Sequence, residues 1–372
     1  MATHRRARHT GAAIASGPRV SNSGKGAPTG CTIACSIRVR PTAGASSALP
    51  PSELERFLAG AGLGTPRAVE ALAGGVSSDI WRVDLASGPI CVKRALPRLR
   101  VAQVWEAPPE RNRYERQWLQ TAGAIVPSAA PRVLAWDDEA GLFAMEYLHA
   151  PVWKSLLHDG VTDGAFATRV GAALAAIHAA TAGDARLAAR FPTDAIFHAI
   201  RLEPYLLATS ERHPDLLARL RELESRTAAT RRALVHGDVS PKNILVRDAG
   251  PVFLDAECAW YGDPAFDLAF CLNHMFLKCV WVPSARAGFL QCYDALSAAY
   301  LAGVTWEAPA ELEARAATLL PGLLLGRVDG KSPVEYLDQA GRALVRAAAR
   351  ALLQAPVHTL GALKAAWQKF ST

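Results

Sequence analysis

A polar stretch at residues 234–246, LVHGDVSPKNILV, places several side chains that could do chemistry directly before an apolar run. Asn243 precedes one short apolar segment, 244–246, and Asp255 follows a second, 252–254. If the two segments form an antiparallel hairpin, Asn243 and Asp255 lie at the same open end of it. Amide and carboxylate oxygens at that end could bind a hard cation such as Mg²⁺.

Asp238 lies five positions before Asn243, across a tight loop that contains a proline. This spacing brings its carboxylate close enough to address a substrate hydroxyl. An aspartate that orients the hydroxyl and accepts its proton, followed by an asparagine and an aspartate on a metal, is the residue order of a phosphoryl-transfer site. The proton can leave late, once the oxygen has begun to bond to phosphorus, so geometry matters more than basicity.

The segments HGDVSPKN and FLDAECAWYGDPAFDLAF resemble the aminoglycoside phosphotransferase and choline kinase family of small-molecule kinases. Members carry an HGD-x4-N loop, then a D-x-D/E or D-x-G element, then GDPxxDLA, and this combination is far more specific than any one motif. The resemblance covers roughly residues 65 to 300 and is most specific in its second half. It implies a protein-kinase-like fold that binds ATP between two lobes.

The resemblance also implies roles for individual residues. Asp238 would be the catalytic aspartate, Asn243 and Asp255 would hold Mg²⁺, and Glu257 would be a further ligand. Lys242 could touch the γ-phosphate, although a solvated loop lysine is the simpler interpretation.

Two more residues of the motifs would support the loop. The resemblance makes Asp267 a structural residue that hydrogen-bonds the backbone of the catalytic loop, and makes His236 a packing and hydrogen-bonding residue. His178 lies in an apolar helical pattern, so we interpret it as a core histidine.

A lysine and a glutamate in the first half could clamp the nucleotide. Lys93 ends the β-like run ICVKRAL, and Glu115 lies on the helical stretch that follows. In kinases at large such a glutamate orders the lysine that reaches the α- and β-phosphates. Glu110 competes for this role on the same stretch.

The segment AGGVSSDIWRV resembles a loop that covers phosphates. Gly74 and Gly75 would allow close approach of the backbone, and Ser77 and Ser78 would add hydrogen-bond donors. A plain two-glycine turn between strands explains the segment equally well.

The segment AMEYL, 144–148, would be the hinge between the lobes. In the family the backbone here meets adenine, which assigns Glu146 and Leu148 to the nucleotide site. An ordinary buried strand is the alternative.

Acceptor-binding residues are harder to identify. Cys271, His274 and Lys278 share one face of a helical pattern. No second cluster completes a Cys/His metal site, so His274 and Lys278 either line an acceptor pocket or lie on an ordinary surface. The loop 326–337 could contact the acceptor or be fixed by ion pairs, through the side chains of Arg327, Asp329, Lys331 and Glu335.

The net charge of +7 comes from the first part of the chain. Residues 1–50 contain seven Lys and Arg and no acid, while the remaining 34 basic residues balance the 34 acidic ones. The segment is rich in Gly, Ser, Ala, Pro and Thr, so we predict a disordered basic tail. A dispensable extension is favoured over a nucleic-acid-binding or targeting role.

The rest of the chain predicts an α+β, bilobal protein-kinase-like fold. Residues 51–148 would form a small β-rich N-terminal, nucleotide-binding lobe, and 149–372 a larger helical C-terminal, catalytic and substrate-binding lobe. Seven cysteines without a CxxC pair favour a cytoplasmic protein. Apolar runs far short of 18 residues argue against a membrane partner.

Together these features predict an ATP- and Mg²⁺-dependent phosphotransferase that moves the γ-phosphate to a hydroxyl of a small-molecule acceptor. The alternatives are an inactive, kinase-like nucleotide-binding module and a nucleic-acid-binding protein that uses the basic tail. The identity of the acceptor and the oligomeric state stay open.

Overall fold

The computed structural model describes residues 51–72, 77–96 and 108–370. The predicted basic tail, 1–50, and two residues of the predicted phosphate loop, Gly74 and Gly75, lie outside the described residues.

The first half is built on one antiparallel sheet. Its strands are β1 Ala68–Ala71, β2 Ser78–Leu85, β3 Gly88–Ala95, β4 Val133–Asp137 and β5 Leu142–Glu146. They are ordered β1-β2-β3-β5-β4. In β2 every second side chain is buried from Trp81 to Leu85, as expected for a strand with one face on a core.

Two helices flank this sheet, α1 Pro51–Gly60 and α2 Arg111–Ile125. Leu54, Phe57 and Leu58 of α1 follow helical spacing and bury against the sheet residues Trp81 and Val92. The sheet and α1 therefore share a small hydrophobic core.

The second half is mostly helical. Its α-helices are α3 Trp153–His158, α4 Gly164–Thr181, α5 Ala185–Arg190, α6 Asp194–Phe197, α7 Ala208–Arg212, α8 Leu217–Ala229, α9 Pro264–Trp281, α10 Arg286–Ala302, α11 Pro309–Asp329, α12 Gln339–Gln354 and α13 Leu360–Gln368. Short 3₁₀ segments cover Pro214–Leu216, Pro241–Asn243 and Pro283–Ala285.

Two small antiparallel ribbons interrupt these helices. The pair β6 Ala233–Val235 and β9 Trp260–Gly262 brackets the pair β7 Ile244–Arg247 and β8 Gly250–Phe253. The β7–β8 ribbon is the hairpin that the sequence predicts; the β6–β9 ribbon was not predicted, and it closes the segment between 233 and 262 into one loop system.

A π-helix, His198–Leu207, follows α6 directly. Pro204 lies inside it. Because proline cannot donate a backbone hydrogen bond, a regular α-helix is disfavoured there. Short π-helical segments are frequent at functional sites.

The central helix of the second half is α9. All of its residues from 264 to 279 are buried, because α10 and α11 pack against it. This arrangement of a small sheet-based lobe and a larger helical lobe confirms the predicted α+β, bilobal fold class. The predicted lobe boundary between residues 148 and 149 stays a prediction.

Within the described ranges, no helix by itself has both the length and the apolar character to cross a membrane. The segments Pro264–Trp281 and Pro283–Ala302 meet the criteria only as a pair, bent by 119°.

A close helix contact yields a stability prediction. A Cβ on Gly171 of α4 would lie 2.3 Å from the carbonyl oxygen of Leu296 in α10, whereas a Cβ on Gly164 would meet no atom within 4 Å. We expect Gly171→Ala to lower the free energy of unfolding by about 1–3 kcal/mol, because the backbones must separate. Urea denaturation measures this change. Gly164→Ala is the matched control, and equal losses in both variants would contradict the packing.

Candidate active site

The loop that follows β6 is fixed by one buried carboxylate. Asp267, in the first turn of α9, accepts hydrogen bonds from the backbone N–H groups of His236 at 2.7 Å and Gly237 at 2.8 Å. Nε2 of His178 lies 3.2 Å from the same carboxylate, and Nδ1 of His178 lies 2.7 Å from the hydroxyl of Tyr300. His178 is thus a buried core histidine with partners on both nitrogens.

Gly237 must be glycine for two reasons. Its φ is +79°, and a Cβ would lie 2.6 Å from the carbonyl oxygen of Cys258. The loop therefore passes directly over the backbone that follows Asp255.

His236 connects this loop to the hairpin. Its Nδ1 accepts from the backbone N–H of Asp238 at 3.1 Å, and its Nε2 lies 3.1 Å from the carbonyl oxygen of Leu254. Burial lowers the pKa of His236. The ring is therefore neutral, with its proton on Nε2, and its edge packs on Trp118.

The open end of the β7–β8 hairpin carries the predicted metal ligands. The backbone carbonyl of Asn243 accepts a hydrogen bond from the backbone N–H of Leu254 at 2.8 Å. The side-chain amide of Asn243 donates to the backbone carbonyl of Asp238 at 3.1 Å. Asp255 follows at once, with φ of +64°, the one positive φ at a non-glycine position in the described residues. Asn243 and Asp255 therefore lie at the same end of the ribbon, beside the loop of Asp238.

Lys93 of β3 reaches this end from the sheet. Its ammonium group lies 2.7 Å from Glu115 of α2 and 2.5 Å from Asp255, and its side chain is 2% exposed. Burial alone would lower the pKa of Lys93, but the carboxylates of Asp255 and Glu115 raise it above its usual value. Burial alone would raise the pKa of Asp255, and Lys93 instead holds it below its usual range. Both groups are therefore charged, and Glu115 rather than the exposed Glu110 contacts the lysine.

Arg111, the first residue of α2, was not identified from the sequence. Its buried guanidinium contacts Glu257 at 3.0 Å and donates to the carbonyls of Ser77 at 2.5 Å and Leu96 at 2.6 Å. Glu257 is thus held in an ion pair. Ser77 and Ser78 are both buried, and the hydroxyl of Ser78 has no hydrogen-bond partner among the described residues.

Arg201, on the π-helix, is a second residue that sequence reasoning missed. Its Nε donates to the carbonyl of Gly237 at 2.6 Å, and its Nη2 lies 2.9 Å from Oδ2 of Asp238. The ammonium of Lys242 lies 3.2 Å from the same oxygen. Asp238 is 3% exposed, so two cations hold a nearly buried carboxylate in one orientation.

The two predicted hinge residues lie where β5 ends. The carboxylate of Glu146 accepts from the backbone N–H of Arg132 at 2.9 Å. Leu148 packs beside Ala150, Leu245 and Val252. Their part in nucleotide binding stays a prediction.

His274 and Lys278 do not lie on an open surface. They are 6% and 1% exposed, and the ammonium of Lys278 lies 4.0 Å from the ring centroids of both Trp281 and Tyr336. Cys271 is fully buried. Among the described residues there is no cluster of three His, Cys, Asp or Glu that could hold a metal.

The four side chains singled out in the loop 326–337 all have protein partners. Their contacts are Arg327 to the hydroxyl of Tyr205, Asp329 to Arg346 and His213, Lys331 to Glu203, and Glu335 to Lys154. Ion pairs and hydrogen bonds therefore fix this loop, and binding of an acceptor by it stays a prediction.

The fold and the placement of these charged groups define a class of protein. It is the class with a protein-kinase-like fold, in which a lysine of the N-terminal sheet contacts an aspartate at the end of a hairpin. A family model described as the phosphotransferase enzyme family matches residues 68–312, and the chain belongs to that family. The resemblance drawn from the sequence motifs is thereby confirmed.

The chain is similar to curated methylthioribose kinases. It is 24% identical over 223 residues to methylthioribose kinase 1 of Oryza sativa subsp. japonica, which covers 51% of each chain. It is 27% identical over 230 residues to the methylthioribose kinase of Yersinia enterocolitica, which covers 52% of this chain and 55% of that protein. The chain thus spans about half the length of the curated relatives it matches.

A solved structure shows the same fold. The amicoumacin kinase hAmiN, in complex with AMP-PNP, Ca²⁺ and Ami, has a TM-score of 0.51 and 15% sequence identity. The match covers 80% of this chain and 91% of that chain.

The contacts of Asp267 yield a stability prediction for the site. Asp267→Ala leaves two buried backbone N–H groups and the ring of His178 without their acceptor. We expect the free energy of unfolding to fall by about 3–5 kcal/mol, as when a buried, hydrogen-bonded charge is removed. Chemical denaturation measures this loss.

The matched control is Asp184→Ala. Asp184 caps the N-terminus of α5 through two backbone N–H groups, and loss of such a cap costs about 1 kcal/mol. Losses of the same size in the two variants would show that Asp267 does not hold the loop.

Proposed function

We propose that this chain is an ATP- and Mg²⁺-dependent phosphotransferase that transfers the γ-phosphate of ATP to a hydroxyl of a small-molecule acceptor. One observation carries the proposal. Lys93, held by Glu115 and Asp255, lies at the end of the hairpin to which the loop of Asp238 is hydrogen-bonded. A buried cation for phosphates and a carboxylate for a hydroxyl are thus placed on one structural unit.

The nucleotide site in this proposal uses groups from the sheet and its connections. Lys93 is protonated and binds the α- and β-phosphates, while Glu115 keeps its side chain in place. Ser77 and Ser78, with Gly74 and Gly75, cover the phosphates.

Adenine in this proposal binds along the segment 144–148. Glu146 and Leu148 belong to that segment, and its backbone continues directly from β5, the strand paired with β3. Lys93 lies on β3, so the base and the phosphates would occupy adjacent parts of one cleft.

The residues assigned to the metal fit a magnesium ion. The side-chain nitrogen of Asn243 donates a hydrogen bond to the backbone carbonyl of Asp238. The side-chain oxygen Oδ1 of Asn243 is therefore left to bind a cation. The side chain of Asp255 is 27% exposed and charged. Mg²⁺ is characteristically held by one or two carboxylates and completed by phosphate oxygens and water, so this sparse set is sufficient. Glu257 could join it only by weakening its contact with Arg111.

Bound Mg²⁺ would neutralise negative charge on the phosphates. The chain's own part in the transfer is carried by Asp238. Its Oδ2 forms ion pairs with Arg201 and Lys242. We therefore propose that Oδ1 is the atom that accepts a hydrogen bond from the acceptor hydroxyl. The new bond joins the acceptor oxygen to the γ-phosphorus, the bond from that phosphorus to the bridging oxygen of ADP breaks, and the hydroxyl proton passes to Asp238.

A small-molecule acceptor and a cytoplasmic setting belong to the same proposal. The five cysteines in the described residues, Cys91, Cys258, Cys271, Cys279 and Cys292, are all free and buried. Free thiols of this kind suit a reducing compartment.

Asp238→Asn tests the proposal. The variant keeps the shape of the side chain and loses its capacity to accept a proton. We expect nucleotide affinity within a fewfold of the parent, by calorimetry with Mg-ATP, and a loss in kcat of about 10²–10⁴-fold, the usual contribution of a positioned general base. ATP consumption with a panel of hydroxylated metabolites supplies the activity measurement.

Asp248→Asn, in the exposed turn between β7 and β8, is the matched control and should leave both quantities unchanged. A parent chain that binds Mg-ATP but phosphorylates nothing in the panel would favour the inactive nucleotide-binding module instead.

A further inference from the structure

A group of basic side chains lies on the helical side of Asp238. Arg201 contacts Asp238 and sits over the rings of Tyr205 and Phe270, and Arg327 contacts the hydroxyl of Tyr205. The ring of Phe270 is 5.6 Å from that of His274. These contacts connect Asp238 to the middle of α9 through a continuous row of side chains. We call this row the basic wall; it contains Arg201, Tyr205, Phe270, His274 and Arg327.

Lys278, one turn further along α9, lies beside the basic wall and is unusual. Its side chain is almost fully buried, and its amine lies 4.0 Å from the ring centroids of both Trp281 and Tyr336, which stack on each other. Among the described residues no carboxylate lies within ion-pair distance of its ammonium group. Glu335, the nearby acid, pairs with Lys154 at 2.6 Å. A buried amine that lacks a counter-ion costs stability whenever it is charged, so its presence here suggests a role in binding.

Other buried polar atoms in and beside the basic wall are also without partners. Nε2 of His274, the hydroxyl of Tyr336 and Nε of Arg327 make no hydrogen bond to any described residue. Buried polar atoms in native proteins are nearly always paired. Three polar atoms without hydrogen-bond partners lie near an amine without a counter-ion. They indicate a ligand whose oxygen atoms supply the missing hydrogen bonds and the missing negative charge.

The charges around this place are predominantly positive. The groups that act electrostatically on His274 are Arg327, Lys278, Lys242 and Lys154, all of them basic side chains. The carboxylates that act on Arg327 are Asp238 and Glu335, and each of these already has a basic partner. Trp281 and Tyr336 stack on each other with ring centroids 4.2 Å apart, and the amine of Lys278 takes the position that an ammonium ligand would occupy against these rings.

We infer that the acceptor is an anion: a small hydroxylated compound whose acid group, a carboxylate or a phosphate, binds between Lys278, His274, Tyr336 and Arg327, while its hydroxyl lies at Asp238. The inference rests on the proposed function and names the acceptor class for that site. It excludes polycationic and quaternary ammonium acceptors, since their charge would face several cations without a counter-charge.

Matched acceptors test the inference on the unmodified chain. Gluconate, glucitol and glucamine share a six-carbon skeleton and differ in one terminal group, and threonate, threitol and the corresponding amine repeat the comparison on four carbons. Glucitol phosphate separates phosphate from carboxylate. Product formation is followed by mass spectrometry with Mg-ATP. We expect the acids or the phosphate ester to be phosphorylated with kcat/KM at least about tenfold above that of the alcohols, and the amines to be poorest.

The inference is overturned if no acid and no phosphate ester is phosphorylated while Mg-ATP still binds, or if the amines are the best acceptors. Failure of Mg-ATP to bind would instead contradict the proposed function itself, so the two failures are distinguishable.

Substitution of Lys278 tests where the acid group of the acceptor binds. Lys278→Met keeps the length of the side chain and removes its charge. We expect KM for the preferred anionic acceptor to rise by about tenfold to a hundredfold, with KM for ATP unchanged. Lys364→Met is the control, because Lys364 of α13 forms an ion pair with the exposed Asp294 of α10 and has no assigned part in binding. An unchanged acceptor KM in Lys278→Met would show that the lysine only packs against the two rings.

The pH dependence of acceptor binding gives an independent readout. Burial lowers the pKa of Lys278 to about 6, with Lys154 of α3 and Arg327 of α11 acting in the same direction and Glu335 opposing them. His274 of the same helix is held neutral by burial and these cations, which lower its pKa. A bound anion favours the ammonium form, so binding takes up a proton and KM should rise as pH increases from 6 to 8. The slope should be absent for neutral acceptors and in Lys278→Met; a slope equal for acids and alcohols would overturn the assignment.

Discussion

The ion pair between Lys93 and Asp255 joins the sheet of the first half to the hairpin of the second. The ammonium group is buried, and a buried cation is stable only when carboxylates and hydrogen bonds replace the water it has lost. Asp255 and Glu115 supply those carboxylates at 2.5 and 2.7 Å. The contact with Lys93 keeps Asp255 ionised, whereas burial raises the pKa of Glu115 to about 7 despite the same lysine. Strand β3, helix α2 and the end of the hairpin are therefore mutually dependent.

The rest of the site repeats this pairing of buried charges. Arg111 forms an ion pair with Glu257 and donates to backbone carbonyls where β2 begins and β3 ends. Arg201 forms an ion pair with Asp238 and hydrogen-bonds the backbone of the same loop. Removal of any one partner would leave an uncompensated charge in a low-dielectric region. Lys278 differs from these groups because aromatic rings, rather than carboxylates, surround it. The paired charges hold the fold, and we infer that Lys278 becomes charged when an anionic acceptor binds.

Local rules made much of the site predictable. Two apolar segments with a short turn define the hairpin, and antiparallel pairing then places Asn243 and Asp255 together. Arg201 and Arg111 were missed because their partners are 36 and 146 positions away, and no spacing rule connects them. The burial of Lys278 was also unforeseen: α9 is buried from residue 264 to residue 279, whereas a lysine in a helical pattern ordinarily marks a face exposed to solvent. The β6–β9 ribbon has only three residues per strand and pairs across the hairpin, which leaves no periodicity to detect.

The most direct measurement of the central claim is a crystal structure of the chain with a non-hydrolysable ATP analogue and Mg²⁺. We expect phosphates in contact with the ammonium of Lys93, the metal bound by Asn243 and Asp255, and the carboxylate of Asp238 facing the γ-phosphate. A nucleotide bound away from Lys93, or a γ-phosphate on the opposite side of the hairpin from Asp238, would contradict it.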